Sequence, residues 1–233
     1  MTASFVLNEL LSVANPEKAR FLQRFFKTGP GQYAEGDVFL GLVVPLTRSI
    51  AKTCKATPLP ELQILMESEY HEARLCALLI VMEQFKKASG SERKALYEFY
   101  LRNASHINNW DLVDVTCPHV VGAYLLDKDR SILYELAASD NLWEQRIAMV
   151  STVAFIRKRE YTDTLALAER LMTHTHDLMH KAVGWMLREV GKKDRDTLSD
   201  FLERNATQLP RTALRYAIEH YPEEQRQYFL KKK

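Results

Sequence analysis

The sequence predicts an all-α fold of stacked antiparallel helix pairs. Three observations carry this. Glycine and proline number only eight each, apolar residues recur at helical spacing, and a short pattern repeats at about 35 residues. Few glycines and prolines mean few turns and long periodic segments. In 69–87 (EYHEARLCALLIVMEQFKK), Leu75, Leu78, Leu79 and Met82 share one helical face. In 142–156, Ile147, Val150, Ala154 and Phe155 do the same. Alternating runs bounded by Asn-Gly or Asp-Gly, the mark of hairpins, are absent.

The same periodicity predicts helices near 4–14, 16–27, 45–56, 59–67, 91–103, 109–126, 130–138, 161–172, 176–190, 194–206, 210–220 and 222–230. Pro118 should kink or divide the segment 109–126. The stretch 28–37 (TGPGQYAEGD) is the one clear loop of any length, and it is too short for a domain linker. Residues 1–233 are therefore read as a single repeat domain.

The repeat appears as a cation just before a small residue on four helices, at Arg74, Arg146, Lys181 and Arg215. The intervals are 72, 35 and 34 residues, and the first is two units of 36. Such a period belongs to HEAT- or TPR-like solenoids. The skipped unit falls at NNWDLVD, with Trp110, Asp111 and Asp114. Stacked repeats bring equivalent positions to one face. The four cations should then form a basic stripe on a curved surface, interrupted by one indole and two carboxylates.

Composition bounds the function. Lys plus Arg is 32 against 30 Asp plus Glu, a formal net charge of +2. A uniformly basic coat is excluded, whereas a basic face balanced by an acidic back is not. Hydrophobic residues at 46% suffice for a large core. No apolar run reaches the roughly 18 residues that span a bilayer. The N-terminus lacks the basic start and cleavage site of a signal peptide. Cys54, Cys76 and Cys117 have no CxxC spacing, which fits a reducing, cytoplasmic setting better than disulfides or structural zinc.

Several residue groups admit two readings. Trp110 and Asp114 are i and i+4 and share a face. They are either a core indole with a capping acid, or an aromatic platform beside a carboxylate that stabilises positive charge on a sugar. Asn108 and Asn109 read as caps for that helix. Lys181, Trp185 and Arg188 lie at i, i+4 and i+7. They are either the rim of an amphipathic helix or a face for phosphate and sugar. Gly184 before the indole permits close approach of a backbone or a ligand. Trp143 reads as packing, and Arg146 as a surface cation, a partner of Asp114 or a phosphate contact. His176 and His180 have a metal-compatible spacing but no third ligand, so no metal site is expected. Pro45-Leu-Thr-Arg48 opens a helix with a basic first turn, suited to phosphate or simply to a helix start. Walker, dinucleotide-binding and GxSxG motifs are absent.

INNWDLVD (107–114), Arg146 and KAVGWMLRE (181–189) together resemble the DNA alkylation-repair glycosylases of the AlkD type, as does FLGLVVPLTR (39–48). The resemblance covers roughly residues 15–220. It implies a right-handed superhelix of HEAT-like helix pairs, an α-solenoid whose concave basic groove holds duplex DNA. It implies excision of positively charged N3- or N7-alkylated purines, without metal or other cofactor. Trp110 and Trp185 would pack against the deoxyribose, Asp114 would be the catalytic carboxylate, and Arg146 would hold the backbone at the lesion. Arg188 would contact a nearby phosphate, with Lys181, Arg48, Arg74 and Arg215 as further DNA contacts. Such a chain would work as a monomer, with no obligatory protein partner and no membrane. The run Asp177–His180 departs from the adjacent aromatics found at that place in the family, and the glycine-rich loop is also particular to this chain. Two other classes remain open at this point: a binder of damaged, bent or branched DNA without catalysis, and a protein-interaction scaffold, which the Trp–Asp and Trp–Arg placements disfavour.

Overall fold

The computed structural model describes residues 1–232. Those residues are helical with short turns, and one isolated bridge between Val38 and Tyr70 is their only extended pairing. The all-α expectation holds, and the helix-pair organisation is consistent with an α-solenoid. The chain divides into two compact units, Met1–Thr116 and Cys117–Lys233.

The first unit begins with α1 (Ala3–Ser12), capped by the Thr2 hydroxyl on the Phe5 N–H. In α2 (Pro16–Phe25), the Asn15 side chain accepts from the Lys18 N–H, and Pro16 supplies the preset φ of a first turn. After the loop come α3 (Val44–Thr53) and α4 (Leu59–Met66), each with proline in its first turn. The central helix is α5 (His71–Phe85), buried along nearly its whole length. Helices α1, α3, α4 and α6 (Gly90–Arg102) pack around it. A Ser89–Glu92 capping box starts α6. Helix α7 (Trp110–Cys117) follows.

Pro118 divides the next segment, as expected. Helix α7 stops at Cys117, a π turn covers Pro118–Gly122, and a 3-10 turn covers Leu125–Asp127. Proline has no N–H to give, so the ladder cannot run through it. The second unit continues with α8 (Ser131–Ala137), α9 (Leu142–Ser151), α10 (Val153–Ile156) and α11 (Thr162–Leu171). It ends with α12 (Asp177–Lys193), α13 (Arg195–Asn205), α14 (Arg211–Ala217) and α15 (Glu223–Lys231). Here α12 is central, packed by α9, α10, α11, α13 and α14.

The seam between α12 and α14 depends on Gly184. A Cβ there would lie 2.5 Å from the Ala213 carbonyl oxygen and 2.6 Å from the Tyr216 Cβ. Of the two partners the sequence allowed this glycine, the backbone is the one found. Gly184→Ala should therefore destabilise the chain by about 2 kcal/mol through overpacking, seen as a lower urea midpoint with unchanged slope. An unchanged midpoint would mean that the seam yields freely. The three cysteines are buried thiols outside any disulfide, and burial, with Cys54 beside it, pushes the Cys76 thiol up to about 12.

Candidate functional site

In the first unit the site starts from Trp110, the first residue of α7. The Asn109 side chain accepts from the Trp110 N–H, and its carbonyl accepts from Val113, so Asn109 is the cap the sequence suggested. The half-buried indole stacks on Phe26 at 5.2 Å between centroids and meets the edge of Phe25 at 6.2 Å. Phe26 stacks in turn on Phe39 at 5.0 Å, and Phe39 on His71 at 4.4 Å. Helix α2, the strand-like segment after the loop and the first turn of α5 thus form one seat for the indole. Asp114, also half-buried, lies one turn further along α7 on the same face.

Beneath the rings is a buried ionic ladder. His71 Nδ1–H donates to Asp37 at 3.1 Å and Nε2–H to Asp111 at 2.9 Å. Arg74 donates to the other Asp37 oxygen at 2.5 Å, to Asn108 at 3.1 Å and to the Ser68 carbonyl at 2.8 Å. Asn108 returns an N–H to Asp37 at 3.0 Å. Burial alone would push the imidazole pKa down. The Asp111 charge, with hydrogen bonds to Asp111 and Asp37, outweighs burial and raises it to about 9. Burial works to raise Asp37, but bonding to His71 and the Arg74 charge bring it below the usual carboxylate range. The ladder is therefore an imidazolium and a guanidinium held between two carboxylates. It ties the end of the loop to the first turn of α7.

A measurable pH dependence follows. Because His71 is raised from 6.5 to about 9, its contribution is complete below pH 6.5 and is lost as pH rises through about 9. Because Asp37 is lowered from 3.8, its share is present above that value and is lost as pH falls below it. Stability should fall by roughly 3 kcal/mol between neutral pH and about 10. His71→Leu should be less stable throughout, and its unfolding free energy should change less with pH over that range. Parallel pH profiles for parent and variant would contradict this.

The ladder also corrects the basic stripe. Arg74 is only 5% exposed, and both its terminal nitrogens are taken up by Asp37, Asn108 and backbone carbonyls, so it is not a solvated DNA contact. Asp111 points inward to His71 and does not interrupt an outer surface. Arg146 on α9 is likewise buried and donates to the Leu178 carbonyl. Two of the four recurring cations, Arg74 and Arg146, join one helix pair to the next. The separations are 34 residues for Arg74 to Asn108 and 32 for Arg146 to Leu178. The ladder also escaped the sequence reading, although Asp37, Arg74 and Asp111 recur at intervals of 37 residues.

In the second unit, Trp185 lies half-buried on α12, with its Nε1–H donating to Glu189 at 3.2 Å. Lys181 pairs with Asp177 at 2.7 Å. Arg188 pairs with Glu219 and lies 3.8 Å from Glu189. These cations keep carboxylate partners, so a phosphate would have to displace or share them. Arg215 is exposed on α14 and Arg48 partly exposed on α3. Trp143 is buried, as expected of a packing residue. His176 caps the Leu178 N–H and His180 meets the His174 carbonyl, so both have local structural roles.

The family model described as DNA alkylation repair enzyme matches residues 6–221. A solved structure named a predicted DNA alkylation repair enzyme, from Enterococcus faecalis, is similar with a TM-score of 0.72 and 18% identity, over 90% of this chain and 97% of that one. At that identity the likeness carries the fold. No curated protein matches the sequence.

Proposed function

The chain belongs to the DNA alkylation repair enzyme family, and from that premise we propose that it is a DNA glycosylase for N3- or N7-alkylated purines in duplex DNA. The observation that carries the reading is the pairing of Trp110 with Asp114 on α7, with the indole held by stacked rings. An N7-alkylated guanine is cationic and leaves readily, because the electrons of the breaking N-glycosidic bond neutralise it. The base therefore needs no general acid. The sugar is left with oxocarbenium character at C1′. The Asp114 carboxylate stabilises that charge, and indole faces of Trp110 and Trp185 add their quadrupoles. Water adds its oxygen to C1′ and releases one proton, giving a free base and an abasic site. Arg188 is assigned to the DNA backbone, with Lys181, Arg48 and Arg215 as sequence-independent phosphate contacts whose binding weakens with salt. Arg146, buried against the Leu178 carbonyl, would reach the backbone at the lesion only if that contact opened.

The test is single-turnover release of 7-methylguanine from methylated duplex DNA by the full chain acting as a monomer, with neutral lesions as comparison. Release from the cationic lesion, and little from neutral ones, supports the reading. Tight binding without release assigns the chain instead to recognition of distorted DNA.

A further inference from the structure

Helix α2 has two unlike faces. Its inner face, Ala19 and Leu22, together with Phe26 just past its end, packs against Phe39 and Trp110. Its outer face carries Phe21 and Phe25, which are 59% and 54% exposed and stack on each other at 6.2 Å with rings 16° from parallel. Phe25 touches Phe26 and Trp110 only by an edge, so more than half of each ring stays outside the core, and adjacent exposed aromatics are an uncommon way to leave a surface. Beside them run Arg20 and Arg24, also one helical turn apart, with Lys18 before and Lys27 after. None of these four cations makes an ion pair among the described residues. The only acid on the helix is Glu17.

We propose that this face of α2 is a stacking platform for an unpaired nucleotide of DNA. Exposed phenyl faces interleaved with guanidinium groups suit a base laid on a ring with its phosphates held at the side. Inside a paired duplex the base faces are covered, so the rings select a nucleotide that has left the stack. Charge favours a polyanion, because the cations lack internal partners. Position favours a role beside the chemistry, because Phe25 meets Trp110 at 6.2 Å and the aromatic row runs from Phe21 to the indole without a break. This inference rests on the DNA reading above. Excision itself leaves an orphaned nucleotide opposite the abasic site, which is the kind of ligand the platform would take.

The test compares affinities of the full chain for two short duplexes of one sequence, one fully paired and one with a single unpaired nucleotide. The parent should prefer the second. Phe21→Ala with Phe25→Ala should lower affinity for that duplex by about tenfold or more and change the paired one little. Phe21→Tyr with Phe25→Tyr should restore the preference. Arg20→Gln with Arg24→Gln should weaken both duplexes and reduce the salt slope by about two. Phe21→Ala alone, at a ring whose stacking partner is Phe25, guards against loss of fold and should give part of the effect. A parent without preference overturns the platform, as does an alanine pair that keeps the parent's preference or weakens both duplexes equally. A platform effect in a chain that releases no base leaves the platform standing and removes the glycosylase. Base release with an unchanged preference does the reverse.

Discussion

Asp114→Asn should slow release of 7-methylguanine by about 10²–10³-fold under single-turnover conditions, with DNA affinity changed by no more than about twofold. The asymmetry follows from where charge develops. Bound DNA in its ground state has a neutral sugar, so the carboxylate gains little from it. As the glycosidic bond lengthens, C1′ becomes cationic, and a fixed negative group nearby lowers the barrier by roughly 3–4 kcal/mol. Asparagine keeps the size and loses the charge. The remaining acceleration belongs to the intrinsic lability of the lesion, so the variant should still act faster on cationic purines than on neutral ones. If the variant matched the parent rate, Asp114 would not be the catalytic carboxylate.

The second large effect is on stability. Glu72→Ala should cost about 4 kcal/mol or more and leave little folded protein at 37 °C. Glu72 is buried on α5, and its carboxylate accepts three backbone N–H groups: Leu40 at 2.9 Å, Gly41 at 2.9 Å and Leu42 at 3.0 Å. Removing it strands three buried donors at once. The turn has no slack to re-pair them. Gly41 is at φ +88, and a Cβ there would lie 2.1 Å from the Asn15 carbonyl. Leu40 also accepts from the Asn15 N–H at 2.8 Å, so the turn anchors the start of α2. Glu72→Gln should fall between parent and alanine, because one of its two acceptors becomes a donor facing donors. Chemical denaturation of the three proteins orders them directly. Equal midpoints for parent and alanine would mean that water replaces the carboxylate.

Much of the fold was legible because helix periodicity is local. The segment 69–87 is observed as His71–Phe85, and 142–156 as Leu142–Ser151 with Val153–Ile156. Pro118 broke its helix for a reason confined to one residue. The loop at 28–37 was visible in its glycines. The site was less legible, because burial is not local. Arg74 and Lys181 occupy the same repeat register, yet one is enclosed by Asp37 and Asn108 and the other is partly exposed beside Asp177. What separates them is the residue presented by the neighbouring helix pair. Phe21 and Phe25 escaped for the opposite reason. Their i, i+4 spacing is the same as that of core residues, and what sets them apart is that Ala19, Leu22 and Phe26 pack inward while these two rings stay exposed.

The sealed sulfurs have a chemical consequence for a member of a family that mends methylation damage. Soft electrophiles attack a thiolate far more readily than a thiol. Cys54, Cys76 and Cys117 are inaccessible, and Cys76 stays protonated at any physiological acidity. While folded, the chain presents no reactive thiolate to methylating agents, which should spare its cysteines under the conditions that call for alkylation repair.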